Sequence, residues 1–258
     1  MKNLKLAAVC LSCLTMTGCS ALNFSVEGLI NAPKLTSEQS EIHQALIESV
    51  GSNITLKYPK NGEYRSAYVI ANIDDEPTDE AMVFYEYTSN GSEEDGLRVN
   101  ILDKDEKGKW YSVKELAGAG TDIDQVIISP MGSNNQTDVF VGYQNLTNDE
   151  KTMEIYSYTD GDFKRVALDT YSVLEPLDIN NDGYIELITI QRSTNNDTGA
   201  VTAKASMLNM KNNEITRGEN VDMCDNVTSY VSSKTGMLDS GRRAIFFVGL
   251  AGGGKLQT

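Results

Sequence analysis

The side chains best suited to chemistry lie in one short acidic segment, DINNDGYIE, which spans residues 178–186. Oxygen-bearing side chains occupy its positions 1, 3, 5 and 9; these are Asp178, Asn180, Asp182 and Glu186. Oxygens at alternate positions can converge on one point, and the glycine at position 6 permits the sharp backbone turn that this requires. The backbone carbonyl of Tyr184 can add another oxygen. Hard oxygen ligands in this number predict a calcium site.

A second interpretation of the same segment needs no metal, because Asp and Asn side chains also accept hydrogen bonds from backbone amides in tight turns. An EF-hand is excluded. That loop requires a bidentate glutamate at position 12, where this chain has Thr189, and a helix should follow. Here an alternating apolar strand pattern, ELITIQ, follows instead.

The elements that position this segment are strands. From Asn53 onward, short runs rich in β-branched and aromatic residues are bounded by Gly, Asn and Asp, as in AMVFYEYT, DVFVGYQ and AIFFVGL. Turn signals typical of hairpins recur between them, as in TDGDF. The pattern predicts an all-β domain of many short antiparallel strands over residues 53–258.

Internal repetition narrows the fold. Four inner strands are predicted to open at Glu80, Asp138, Glu186 and Arg243, and three further strand candidates lie in each interval between them. A four-stranded unit that recurs every 48 to 58 residues is typical of the blades of a β-propeller. A sandwich or an up-and-down barrel is the alternative, because strand counts fit these folds as well.

The acidic segment and its strand resemble the FG-GAP and VCBS repeats, which form the blades of integrin-α-like propellers. Their signature is D-x-[DN]-x-[DN]-G-x-x-[DE] before an apolar strand, and the resemblance covers roughly residues 66–258. It implies a multi-bladed propeller with Ca²⁺ in its loops. We expect the ion only at Asp178, Asn180, Asp182, the carbonyl of Tyr184, and Glu186.

The other repeats depart from this signature. NIDDEPTDE keeps three acids in register but has Pro77 in place of the glycine, and PMGSNNQTD retains only Asp138. In the last repeat Arg243 falls at position 9, where a cation opposes calcium. This repeat also stops after one predicted strand, so we expect a partial propeller of about three to four blades in a piece of a longer protein.

The N-terminus has the layout of an export signal: Lys2 and Lys5, an apolar run over 6–14, and then TMTGC. This ending resembles the lipobox of bacterial lipoproteins. The resemblance implies a signal peptide over 1–18 and a membrane anchor through lipid on Cys19, which places the protein outside the cytoplasm in a bacterial cell envelope. An ordinary cleaved signal is the alternative. With Cys10 and Cys13 lost with the signal and Cys19 carrying lipid, only Cys224 would remain as a free cysteine, so no disulfide is expected within the mature chain.

A polar tether is expected over 19–35, followed by an amphipathic helix over 36–51. Thr36 with Gln39 three residues later is typical of a capping box, and Gly51 marks the end. Apolar residues at helical spacing form one face: Ile42, Ala45, Leu46 and Val50. The single histidine, His43, lies off this face and is expected at the surface.

Charge limits the partners. Loss of two lysines with the signal leaves 20 basic against 37 acidic residues, which disfavours nucleic acid and favours cations or basic ligands. One histidine and no G-x-S-x-G or H-E-x-x-H motif leave no candidate catalytic residue. We therefore expect a non-catalytic binding or scaffold protein with an unknown protein or glycan ligand. A carbohydrate-active enzyme or accessory module and an envelope assembly factor are the alternatives.

Overall fold

The computed structural model describes residues 35–88, 96–132, 136–145, 150–194, 197, 201–211, 214–223, 227–251 and 255–257. The chain divides into two units, Met1–Ser40 and Glu41–Thr258. The predicted signal peptide, Cys19 and Cys224 lie outside the described residues, as does the predicted tether except for Leu35.

Helix α1 (Ser37–Val50) lies within the range that the sequence predicts. Its first turn is closed by a reciprocal capping box, in which the Gln39 amide donates to Thr36 Oγ1 (3.1 Å) and the Thr36 amide donates to Gln39 Oε1 (3.1 Å). Gly51 ends the helix with a positive φ of 84°. This helix is neither long nor apolar enough to cross a bilayer.

The apolar face of α1 is buried as predicted at Ile42, Ala45 and Leu46. The expectation that His43 is a surface residue is wrong. Its side chain is partly buried, and its Nδ1 lies 2.8 Å from the hydroxyl oxygen of Tyr68. The tyrosine hydroxyl satisfies the polar edge of the ring beside the core.

All the described strands after α1 belong to four antiparallel sheets, which we name A to D in chain order. Sheet A contains β1 (Ile54–Leu56), β2 (Tyr68–Ala71), β3 (Glu80–Tyr87), β4 (Leu97–Lys104) and β5 (Trp110–Ala117). Sheet B contains β6 (Asp122–Ser129), β7 (Asp138–Gln144), β8 (Lys151–Thr159) and β9 (Asp162–Tyr171). The predicted all-β class is confirmed.

Sheet C contains β10 (Val173–Leu177), β11 (Glu186–Thr194), β12 (Val201–Lys211), β13 (Glu214–Arg217) and β14 (Val221–Asp222). Sheet D contains β15 (Val227–Met237), β16 (Arg243–Ala251) and β17 (Lys255–Gln257). Sheets A and C each have one edge strand in two pieces, because β1 and β2 both pair with β3, and β13 and β14 both pair with β12.

The four predicted inner strands occupy equivalent places. β3, β7, β11 and β16 begin at Glu80, Asp138, Glu186 and Arg243, and each is the second strand of its sheet when the split edge of sheet A is counted as one. The predicted strand repetition is therefore correct. Across the described residues the four sheets are not joined by strand pairing, and no closed ring of blades is seen.

Successive sheets pack face to face because their inner strands bury both faces. In β3, Met82 and Phe84 pack with Val139 and Val141 of sheet B, whereas the alternate residue Val83 packs toward α1. A second core joins sheets B and C, and a third joins sheets C and D. This two-sided burial explains why the inner strands have nearly continuous apolar sequences such as AMVFY.

Candidate functional site

The loops that enter the inner strands of sheets A, B and C have the same length. The residues paired across each loop are 71 and 80, 129 and 138, and 177 and 186. In sheet D the paired residues are 237 and 243, so this loop is three residues shorter. The alignment that placed Arg243 at position 9 of an equivalent loop is therefore wrong, although Arg243 does open its strand.

One hydrogen bond recurs in the three equal loops. The acid that opens each inner strand accepts the backbone N–H of the residue seven positions earlier: Glu80 from Ile73 (2.8 Å), Asp138 from Met131 (3.0 Å) and Glu186 from Ile179 (2.9 Å). All three acids are buried. The amides of Ile73 and Met131 belong to buried residues and that of Ile179 to a partly buried one, so each needs a partner, and the position-9 acid supplies it without a metal. Sequence reasoning missed this role.

The predicted calcium loop of sheet C also contains the contacts of a capped turn. Asp182 N–H donates to Asp178 Oδ1 (3.1 Å) and to Asn180 Oδ1 (2.9 Å), and Gly183 N–H donates to Asp178 Oδ2 (3.0 Å). Tyr184 N–H donates to Asp182 Oδ1 (2.9 Å). Gly183 has a positive φ of 90°, which explains the glycine at position 6.

The same loop brings two carboxylates to one amide group. Asn180 Nδ2 donates to Asp182 Oδ2 (3.0 Å) and to Glu186 Oε1 (3.2 Å), and so holds the two acids together as a cation would. The loop thus gathers side-chain oxygens of Asp178, Asn180, Asp182 and Glu186, and oxygens of this kind are the ligands that calcium takes in proteins. Within the described part of the chain, no three His, Cys, Asp or Glu side chains are grouped as a metal site.

The equivalent loop of sheet A keeps part of this geometry. Glu76 N–H donates to Asp74 Oδ1 (2.7 Å), which reproduces the bond between positions 5 and 3 of sheet C. Pro77 stands where sheet C has Gly183. The acid at position 9 differs in its partners. Among the described residues, Glu80 Oε1 is buried and has no hydrogen bond of ordinary geometry, although the Asp74 backbone N–H acts on the same carboxylate.

Two acids of the sheet A loop have raised pKa values because burial desolvates them. Burial raises the pKa of Glu80 to about 7, and the nearby Asp74 and Asp103 carboxylates add to the rise, whereas the backbone N–H groups of Ile73 and Asp74 lower it. Burial also raises the pKa of Asp74, with further contributions from Asp103 and Asp75, while the Glu76 N–H lowers it. Glu80 and Asp74 are therefore poorly solvated acids, whereas Asp75, Glu76 and Asp79 of the same loop are exposed.

Glu80 lines a cavity of about 190 Å³ between sheets A and B. Asp74, Asp103 and Tyr111 contribute polar groups to its wall, and Ile101, Val113 and Phe163 are among its apolar residues. A second cavity of about 690 Å³ shares Asp74, Glu76, Tyr158 and Gly161 with the first. The sequence contains no direct signal for this site, because packing between two sheets creates it.

The aromatic residues of the N-terminal strands are mostly core. Tyr68, Tyr85 and Trp110 are buried, whereas Tyr111 is 46 % exposed and lines the cavity described above.

Comparison with known proteins found no matching protein-family model and no matching curated protein.

Proposed function

We propose that this chain is a lipid-anchored, extracytoplasmic and non-catalytic binding protein, built from propeller-type blades of which one holds a calcium ion. The observation that carries the proposal is the recurrent loop of sheets A, B and C. Equal loop length, a strand opened by a buried acid and the same acid–amide bond occur three times at equivalent places. Such repetition supports copies of one structural unit, as in FG-GAP and VCBS blades.

The packing of the sheets supports the same proposal. Each sheet is antiparallel, and sheets B and C each pack between the sheets that precede and follow them in the chain, whereas the other face of sheet A packs on α1. Blades of a propeller pack in this manner around an axis.

Calcium in this proposal is a structural ion. The oxygens of Asp178, Asn180, Asp182, Glu186 and the Tyr184 carbonyl would hold it, and the ion would replace the Asn180 amide as the group that joins Asp182 and Glu186. Binding to the folded state alone raises the free energy of unfolding by mass action. Extracellular sites of this kind often bind with dissociation constants of about 10⁻⁴ to 10⁻³ M.

The anchor is proposed from the sequence. Lipid on Cys19 would hold the protein at the membrane, with residues 19–35 as the tether. Labelling with a radioactive or clickable fatty acid in the native bacterium tests this directly. Labelled protein and its loss in Cys19→Ala are the expected results, whereas equal labelling of both proteins would disprove the anchor.

Thermal unfolding of the full chain, followed by circular dichroism in EGTA and in millimolar Ca²⁺, tests the calcium loop. We expect Ca²⁺ to raise the melting temperature, and Asp182→Ala to abolish this shift. The matched control is Glu76→Ala, which removes the acid at the equivalent position of the sheet A loop and should leave the shift intact. Equal melting in both buffers would favour the metal-free capped turn.

A further inference from the structure

A buried carboxylate brings three side chains together where the loop between β1 and β2 reaches sheet B. Asp124 Oδ1 accepts hydrogen bonds from Asn61 Nδ2 (2.7 Å) and from Lys151 Nζ (2.8 Å), and Oδ2 accepts one from the Tyr171 hydroxyl (2.6 Å). The Asp124 side chain is 1 % exposed. An amine and a carboxamide thus meet on one oxygen atom, and their nitrogens lie at most about 5.5 Å apart, the sum of the two distances.

The backbone directs the Asp124 side chain to this point. Asp124 is the extra residue of a β-bulge in β6, because only its neighbours Ile123 and Gln125 have partners in β7. Bulges redirect a side chain and are common beside active sites. Asn61 is held next to Asp124 because its own N–H donates to the Asp124 backbone carbonyl (2.7 Å). The loop of sheet A and the bulge of sheet B are therefore fixed together.

Lys151 and Tyr171 reach the same place from the other side. They are paired directly across β8 and β9, and Lys151 Nζ lies 5.5 Å from the centre of the Tyr171 ring. Gly142 leaves the space for the tyrosine, because a Cβ at this position would lie 2.1 Å from the Tyr171 hydroxyl oxygen. Tyr171 is a positioning residue, since its hydroxyl holds the second oxygen of Asp124.

Other described lysine–carboxylate pairs lack this combination. Their carboxylate side chains are between 28 and 89 % exposed. Glu48 is the nearest parallel, because it accepts from the amide of Gln44 and from Lys109, but it does so through separate oxygens and is 52 % exposed. Water competes for the groups around Glu48, whereas burial strengthens the contacts that hold the amine and the amide at Asp124.

We propose that Lys151 and Asn61 form an isopeptide bond, which joins Lys151 Nζ to Asn61 Cγ and for which Asp124 transfers the protons. The Lys151 ammonium first gives a proton to Asp124 Oδ1, and the free amine then bonds to Asn61 Cγ. Asp124 passes this proton to Asn61 Nδ2, the bond between Cγ and Nδ2 breaks, and ammonia leaves. A second proton from Nζ leaves with the ammonia as ammonium, which restores the carboxylate. The step needs no oxidant and no further reactant.

Proximity is the main source of rate in this step. A carboxamide reacts slowly with a free amine, but groups held in a productive geometry reach effective molarities of about 10⁵ to 10⁸ M. The bond forms once in the life of each molecule, so a slow reaction suffices. The product links the loop between β1 and β2 to β8, and thus joins sheets A and B.

The link would close a segment of about 90 residues and would restrict the unfolded chain as a disulfide does. A covalent bond of this kind suits a mature chain in which no disulfide is expected. The inference goes beyond the proposed function and uses residues outside the loop at 178–186. It therefore stands or falls separately from the calcium-dependent melting and the fatty-acid labelling.

The test is tandem mass spectrometry of tryptic peptides from the full-length protein. We expect peptide 61–65 to be joined to peptide 115–164, in which trypsin has not cleaved after Lys151. The joined product should be lighter than the two separate peptides by one molecule of ammonia. Separate, unmodified peptides throughout the sample would overturn the proposal.

Three variants should abolish the joined peptide: Lys151→Arg removes the nucleophile, Asn61→Ala removes the amide, and Asp124→Asn removes the proton carrier. Lys109→Arg is the matched control at the exposed lysine beside Glu48, and it should leave the joined peptide in place. Circular dichroism verifies that each variant is folded. If Lys151→Arg is unfolded, Asn61→Ala at an exposed residue takes its place with the same expectation.

Two other products would overturn the proposal. Loss of ammonia within peptide 61–65 alone would show that the backbone nitrogen of Gly62 attacks Asn61, which gives a cyclic imide instead of a link. A peptide in which Lys151 is joined to Asp124 with loss of water would assign the bond to the carboxylate. Persistence of the joined peptide in folded Asp124→Asn would overturn the role of Asp124 in the proton transfer.

Discussion

The loops of sheets A and C have one framework and two different chemistries. Both join paired residues nine positions apart, and in both the position-9 acid accepts the amide of position 2. In sheet C, the Asn180 side chain donates to the second oxygen of that acid, whereas Glu80 Oε1 in sheet A has no side-chain donor among the described residues. The acid–amide bond is thus common to both loops, whereas the side chains at the other loop positions have different partners.

The backbone differs at the position where the sequence does. Gly183 adopts a φ of 90° in sheet C, a conformation that proline at 77 cannot reach, because its ring fixes φ near −65°. The polar side chains of the two loops are therefore presented differently despite their equal length. This difference supports the restriction of the calcium proposal to the sheet C loop.

The largest effect is expected at Asp138, where the acid–amide bond common to the three loops can be tested. Both carboxylate oxygens of this residue accept hydrogen bonds within the protein. We expect Asp138→Ala to lower the free energy of unfolding by about 3 kcal/mol, because the Met131 amide and the Ser157 hydroxyl lose their buried partner. Urea denaturation followed by circular dichroism measures the change.

Ser157→Ala is the control for this prediction, since it removes one of the two bonds and keeps the acid–amide bond. It should cost about 1 kcal/mol. A loss in Asp138→Ala no larger than that in Ser157→Ala would show that the bond to Met131 contributes nothing, and that the recurrent contact does not support the loop.

The next effect in size distinguishes Glu80 from Asp138 by its dependence on pH. Because the folded-state pKa of Glu80 is about 7, above the ordinary 4.5, the folded state binds more protons than the unfolded state between these values. The stability that protonated Glu80 contributes is present below pH 4.5 and is lost as the pH rises through 7. Glu80→Gln avoids this loss and should be more stable than the wild type by about 2 kcal/mol at pH 8.

The measurement is urea denaturation in EGTA at pH 4.5 and pH 8, with little difference between the two proteins expected at the lower pH. Charged and titratable groups that line the same cavity are present in both proteins: Asp74, Glu76, Asp103, Tyr111, Lys114, Tyr158 and Asp162. Their own titration therefore largely cancels in the comparison. An equal difference at both pH values would show that Glu80 is not the group responsible.

Strand order was predictable here, and the details of the site were not. Runs such as AMVFY and LITI identify two-sided inner strands by residue type alone, so the start of β11 at Glu186 follows from the sequence. The partner of Glu186 in the recurrent bond is the backbone amide of Ile179, and an amide has no sequence signal. His43 was misassigned for a related reason, because its partner Tyr68 lies 25 positions away in the chain.

The cavity beside Glu80 was beyond sequence reasoning because it requires two sheets. Asp74, Glu76 and Glu80 are visible as acids in register, but Tyr158 and Phe163 reach the same place only when sheet B packs on sheet A. The shorter loop before β16 was not predicted either. The strand pattern places Arg243 correctly at the start of β16, but it does not indicate where the preceding strand ends, so it gives no length for the loop between them.

The smallest predicted effect, that of Asn180→Asp, depends on calcium. In EGTA, Asn180→Asp replaces a group that donates to Asp182 and Glu186 with a third carboxylate, so we expect a loss of about 1 kcal/mol in the free energy of unfolding. With Ca²⁺ the new carboxylate becomes a charged ligand, and the variant should gain more from the ion than the wild type. Asn181→Asp is the control, because it adds the same charge at an exposed neighbour outside the ligand positions. If Asn180→Asp is destabilised equally with and without Ca²⁺, the loop binds no ion at this point. In the wild type the Asn180 amide would then be the group that joins Asp182 and Glu186, and the sheet C loop would be a capped turn.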